Sequence, residues 1–255
     1  MQYMDVLSNL HTTHGNFTDK AVSNDDLNLI LSSCVKGACA SNRQNYSIIV
    51  VQGTGNVKKI IGCGYKSPIA LVFCADYNRI YKVGERLGYP SDYDSFFNYL
   101  TAHTDTVIAA QTAVMTATSL GIGSMYTNSI HNLQRKDIAE FYAQLEIPEE
   151  HCFPVIAVLL GYEDEKKHPK TGKLSAKGIV HYDKYTPLTD SDTDEIIKIV
   201  NNPDNNFGNA NGCRDYLEYF YTKWSAPKPR EVTEKTDNAL LSKLKSFLIG
   251  GIDGN

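Results

Sequence analysis

The stretch PIALVFCAD, residues 68–76, is apolar at every position from Ile69 to Ala75. A strand with one wet face alternates apolar and polar residues, whereas an unbroken run needs cover on both faces. Residues 68–76 therefore predict a central strand. FPVIAVLLGY, residues 153–162, predicts a second one of the same kind. SIIVVQ, 47–52, bounded by Gly53 and Gly55, and IGSMYT, 122–127, add two shorter strands.

The segments between these strands carry the helical period. In SNDDLNLILSSCVK, 23–36, Leu27, Ile30, Leu31, Cys34 and Val35 form one stripe. Ser23 is placed to cap that helix, and Asp25 and Asp26 suit the positive end of its dipole. DTVIAAQTAVMTATSL, 105–120, is apolar or small nearly all round, which predicts a buried helix stopped by Gly121. A last helix is expected over about 233–249, with Leu240, Leu241, Leu244, Phe247 and Leu248 on one side. It follows the proline-rich APKPRE and is expected to pack on its own body or on a partner subunit. Strands alternating with helices predict an α+β chain, an α/β sandwich with a sheet covered on both faces. NNPDNNFGNANG, within 190–212, is too polar to pack and predicts a mobile excursion.

Composition narrows the partners. The 255 residues hold 25 basic and 29 acidic side chains, a net charge of −4, with no basic run, so no nucleic acid is expected. No window of eighteen apolar residues exists, so no membrane span is expected either. Six cysteines lie scattered without a CxxC pair, which fits reduced thiols and a cytoplasmic location. Gly62-Cys63-Gly64 and Gly121-Ile122-Gly123 are only fragments of a dinucleotide loop. Neither a Walker loop nor G-x-S-x-G occurs, and nothing marks a nucleophile–base pair. An enzyme of this composition would leave its chemistry to a cofactor.

One loop stands out. LHTTHGNFTDKAVS, 10–23, sets His11, His14, three threonines and Gly15 before the first long helix. Such a loop can bind an anion, a metal or nothing. HTTHGNFTDKAVS, ASNRQNYSIIVV, PIALVFCADYNR, TDTVIAAQTAVMTATSLGIGSMYTNSIHN, PVIAVLLGYEDE and GIVHYDKYTPL follow one another in an order and spacing that resembles the nitroreductase family. The similarity is greatest to the NADPH nitroreductase and flavin reductase branch with a C-terminal extension, and it covers roughly residues 1–190.

The resemblance implies a nitroreductase-like fold with a central, mostly antiparallel sheet in a domain-entangled homodimer. Residues 1–190 would form the FMN-binding domain, and 191–255 the excursion and the C-terminal helix. It implies FMN as cofactor and NAD(P)H as co-substrate. Nitroaromatics, quinones or free flavin would be reduced by ping-pong hydride transfer through flavin N5, with no catalytic side chain and no metal. His11, Thr12, Thr13 and Gly15 would hold the phosphate end. Ser41, Asn42 and Gln44, from the same region or the partner chain, and the turn of Tyr126, Thr127, Asn128 and Ser129 would meet the flavin. Lys173 would reach back to the phosphate, with Lys170 and Lys177 as substitutes, and Lys223, Lys228 and Arg230 are candidates for the 2′-phosphate of NADPH. The family's first loop carries two arginines that Thr12, Thr13 and Gly15 replace here. Their loss motivates an alternative, a flavin- or small-ligand-binding protein on the same fold with weak or no turnover.

Overall fold

A computed structural model of the chain describes residues 2–15, 17–89, 92–132, 137–164, 173–174, 178–202 and 211–248. It divides into two compact units, Met1–Glu165 with Glu231–Asn255, and Lys166–Arg230.

The first unit is built on one sheet. β1 (Tyr46–Gln52), β2 (Ile69–Asp76), β3 (Gly123–Thr127) and β4 (Cys152–Gly161) are ordered β1-β2-β4-β3, and every neighbouring pair is antiparallel. The two unbroken apolar runs are the two inner strands, as full burial requires. On β2 every residue from Ile69 to Ala75 is buried. Its odd positions Ile69, Leu71 and Phe73 face one layer of helices, and Ala70, Val72 and Cys74 face the other.

The first layer is α2 (Asn24–Cys34) and α5 (Phe96–Ser119). Ser23 caps α2 by accepting from Asp26 N at 3.0 Å, as its sequence predicts. Ala109, Ala110, Ala113 and Ala117 line the sheet side of α5, and these small side chains bring the helix close to the strands. α5 begins at Phe96, nine residues before the expected start, because Ser95 caps it through Asn98 N. The second layer is α3 (Thr54–Ile61) and α6 (Ile138–Leu145), which bury Val57, Ile61, Phe141 and Tyr142. α3 was not legible in the sequence. It is eight residues long, contains Gly55, and is closed at both ends by the positive-φ glycines Gly53 and Gly62. Helices α1 (Tyr3–Asn9) and α4 (Asn78–Leu87) complete the body.

Pro154 lies within inner strand β4, where its missing N–H would break the ladder. The register shifts there, Phe73 pairing with Ile156 and Cys74 with Pro154, so Val155 is the extra residue of a bulge. His131 Nε2 then meets the Pro154 carbonyl at 2.7 Å.

The C-terminal helix, Arg230–Leu248, packs on its own body. Phe247 is buried among Tyr77, Tyr99 and Phe153, and Lys243 pairs with Glu149 and lies 4.4 Å over the Tyr142 ring. In the second unit, α7 (Asp190–Val200) corrects the reading of 190–212 as an excursion. Thr189 and Asp192 form a reciprocal capping box, and Ile196 packs around Gly178, which outweighs the acidic composition. PDNNFGNA, 203–210, lies outside the described residues.

Candidate cofactor site

The first loop leaves α1 and is stitched to the corner where β4 ends and β3 begins. Thr13 N donates to Ser124 O at 2.9 Å, Phe17 forms an antiparallel bridge with Glu163, and Thr18 N donates to Tyr162 O at 2.8 Å. Gly15 turns the chain at φ +75°, and its N–H returns to Thr13 O at 2.7 Å. A Cβ on Gly15 would lie 2.1 Å from Tyr65 Cδ1, so both backbone and space demand glycine.

Two side chains of the loop converge on a residue the sequence reading missed. The wholly buried Thr13 donates its hydroxyl to Glu163 Oε1. His11 Nε2 lies 2.9 and 2.7 Å from the two Glu163 oxygens, and Nδ1 lies 2.7 Å from Asn9 O. Both ring nitrogens thus face acceptors, which only the doubly protonated imidazolium satisfies. Burial pulls the His11 pKa down, but the Asn9 carbonyl and the Glu163 carboxylate prevail and raise it above 6.5. Its charged form therefore favours folding fully below about pH 6.5, and the contribution is lost as pH rises through the folded value. An NMR titration of the His11 ring should give a midpoint above 6.5 in the native protein and a lower one in Glu163→Gln. An unchanged midpoint would disprove the pairing. The signal available in the sequence was the first of three carboxylates that follow a buried strand, in GYEDE. Thr12 is exposed, and Asn16 is outside the described residues.

Farther along β3, Tyr126 turns toward α5, where its hydroxyl donates to Gln111 Oε1 at 2.9 Å and burial raises its pKa. The ring is partly buried and packs against the α2–α5 side of the core. Thr127 Oγ1 accepts from Ser129 N at 3.1 Å and bonds Ser129 Oγ at 2.8 Å, which fixes a tight turn with Asn128 exposed on it.

Ser41, Asn42 and Gln44 adopt left-handed backbone at φ +51°, +55° and +53°. Three such residues in four are strained, at about 1 kcal/mol or more each, and persist only where the surroundings enforce them. Two residues missed in the sequence do so. Asp105 Oδ1 accepts from Ala40 N at 2.9 Å, and Arg79 Nη2 donates to Gln44 O at 2.5 Å and Tyr46 O at 3.0 Å. Asp105 was marked only by being a charge in an apolar helical run.

The sheet places these groups apart. The first loop and the Tyr126–Ser129 turn lie along edge strand β3, whereas Ser41–Gln44 precede the opposite edge strand β1. Three strand spacings of about 4.8 Å, roughly 14 Å, separate the edges. Lys173 is exposed and belongs to the second unit, while Lys170 and Lys177 lie outside the described residues. Among the described residues no group of three or more His, Cys, Asp or Glu side chains is placed to hold a metal, and no helix is long and apolar enough to cross a membrane.

No family model matches the chain. Individual proteins do. The chain is 25% identical over 242 residues to an FMN reductase (NAD(P)H) of Bacillus subtilis, covering 88% of this chain and 93% of that protein. It is 27% identical over 190 residues to an oxygen-insensitive NADPH nitroreductase of Salmonella typhimurium, covering 70% and 72%. The solved NfrA1 nitroreductase of B. subtilis superposes at a TM-score of 0.78, with 20% identity, over 95% of this chain and 98% of that one. The fold is therefore that of a nitroreductase, α+β around an antiparallel sheet, and the resemblance to that family drawn from the sequence holds.

Proposed function

We propose that the chain is an FMN-dependent NAD(P)H oxidoreductase reducing nitroaromatics, quinones or free flavin, with reduction and reoxidation alternating in one cleft. The observation that carries this reading is a match to an FMN reductase along nearly the whole chain, on a shared fold.

The donor set suits a flavin. Ser41, Asn42 and Gln44 offer hydroxyl and carboxamide groups on a rigid left-handed loop, as the polar edge of an isoalloxazine needs. The Thr127–Ser129 turn adds hydroxyls, and His11 and Thr12 stand at the phosphate end. FMN, when bound, supplies the hydride-accepting N5, so no nucleophile is required of the protein. Arg79 and Asp105 act as positioning residues that hold the 40–44 loop, and Gly15 and Thr13 fix the first loop against β3. Protonated His11 places positive charge beside the phosphate end.

Because the two donor loops lie on opposite edges of one sheet, we assign the active form as a homodimer in which a loop of each copy completes the other's site. Its support is a set of large apolar side chains left uncovered on three helices. Tyr3, Met4 and Leu7 on α1, Leu29 on α2, and Phe97, Leu100 and Val107 on α5 are exposed. Edge strand β1 also has an open side among the described residues.

Purified protein loaded with FMN should show flavin absorbance that NADPH bleaches under argon and a nitroaromatic or quinone restores. Retained colour without bleaching would favour the non-catalytic flavin binder, and failure to take up any flavin would remove both readings.

A further inference from the structure

The flavin reading leaves one feature unexplained, a carboxylate at the phosphate end. Glu163 is fixed there by its backbone bridge to Phe17. Its carboxylate takes His11 Nε2 at 2.9 and 2.7 Å and the Thr13 hydroxyl, and its side chain is only 23% exposed. The packing is close because Gly123 has no side chain. A Cβ there would lie 2.5 Å from Thr13 Oγ1 and 2.6 Å from Glu163 Cγ. The backbone offers little in exchange, since the N–H groups of Thr13 and Gly15 already bond Ser124 O and Thr13 O. No lysine or arginine occurs from Leu10 to Gly15, and Lys20 lies 3.7 Å over the Tyr162 ring.

We propose, resting on the flavin reading, that Glu163 is the specificity-determining residue of this end of the site, holding the affinity for FMN down to about that for riboflavin. A phosphate and the Glu163 carboxylate are both anionic and acceptor-rich, so they compete for the same His11 and Thr13 donors and repel one another. A terminal ribityl hydroxyl does not. It donates to a remaining lone pair of the carboxylate and needs no proton from His11 or Thr13, so the existing network takes it without loss of a partner. The residue thereby changes what the site retains, from a phosphorylated flavin held by charge to flavins in general, bound through ring and ribityl contacts.

The test is the dissociation constants of FMN and riboflavin, measured by fluorescence quenching on the full-length protein and on Glu163→Gln. The wild-type values should agree within about threefold. Glu163→Gln keeps the shape and the backbone bridge but removes the charge, so FMN should bind about tenfold tighter or more, the worth of one charge-assisted contact. Riboflavin should stay within about threefold. Glu163→Ala should move the FMN-to-riboflavin ratio in the same direction. Damage to folding would weaken both flavins together, so parallel loss in both variants, or an unchanged FMN constant, overturns the proposal. If no variant and no wild-type sample binds either flavin, the flavin reading falls and takes this inference with it.

Discussion

Phe73→Ala is expected to lower the unfolding free energy by about 3–5 kcal/mol, seen as a fall in the urea midpoint. Phe73 is fully buried on inner strand β2, between Ile48 of β1 and Ile156 of β4. Its ring fills the layer between the sheet and the α2–α5 pair. Ala109, Ala110 and Ala113 are already short, so the helix side has few atoms to move into the space. The cavity then stays open, and both the lost transfer energy and the lost dispersion contacts count. A loss below about 1.5 kcal/mol would show that β2 is not sandwiched as described.

Phe247→Ala is expected to cost about as much, and the cost should not depend on protein concentration. Phe247 is 1% exposed, with its ring edge-on to Tyr99 at 5.3 Å and to Tyr77 at 5.9 Å. Such aromatic contacts add about 0.5–1.5 kcal/mol each beyond burial. Urea unfolding at two protein concentrations a hundredfold apart separates the alternatives left open by the sequence. A destabilisation that vanishes at high concentration would place the helix across a subunit boundary instead of on its own body.

The strands and long helices were legible because each carries a period set by burial. Residues 69–75 and 153–161 carry the unbroken apolar runs of inner strands, and Ser23 followed by two aspartates marks a cap by itself. Short elements were not legible. α3 has too few residues for a period, and its ends are set by two glycine conformations. α7 hides under an acidic composition, since its support is one capping box and a contact onto Gly178.

The site was legible only as a set of loops. Sequence order placed His11–Gly15, Ser41–Gln44 and Tyr126–Ser129 as the candidates. It could not reveal that Tyr126 is drawn into the core by Gln111, or that a strained 41–44 loop hangs on Asp105 and Arg79. Those partners are 65 and 35 residues away from the groups they hold, and no local pattern encodes such a contact.

By itself the sequence determined the class of fold and the loops from which a flavin site would be made, because periodicity and segment order follow from burial along the chain. The tertiary structure alone decided where those loops lie and what already occupies them. It put two of them on opposite edges of one sheet and turned Glu163 onto His11 and Thr13. The reason is physical: a side chain's partner depends on which strands meet, and a residue 150 positions away becomes a neighbour only when the sheet closes its corner.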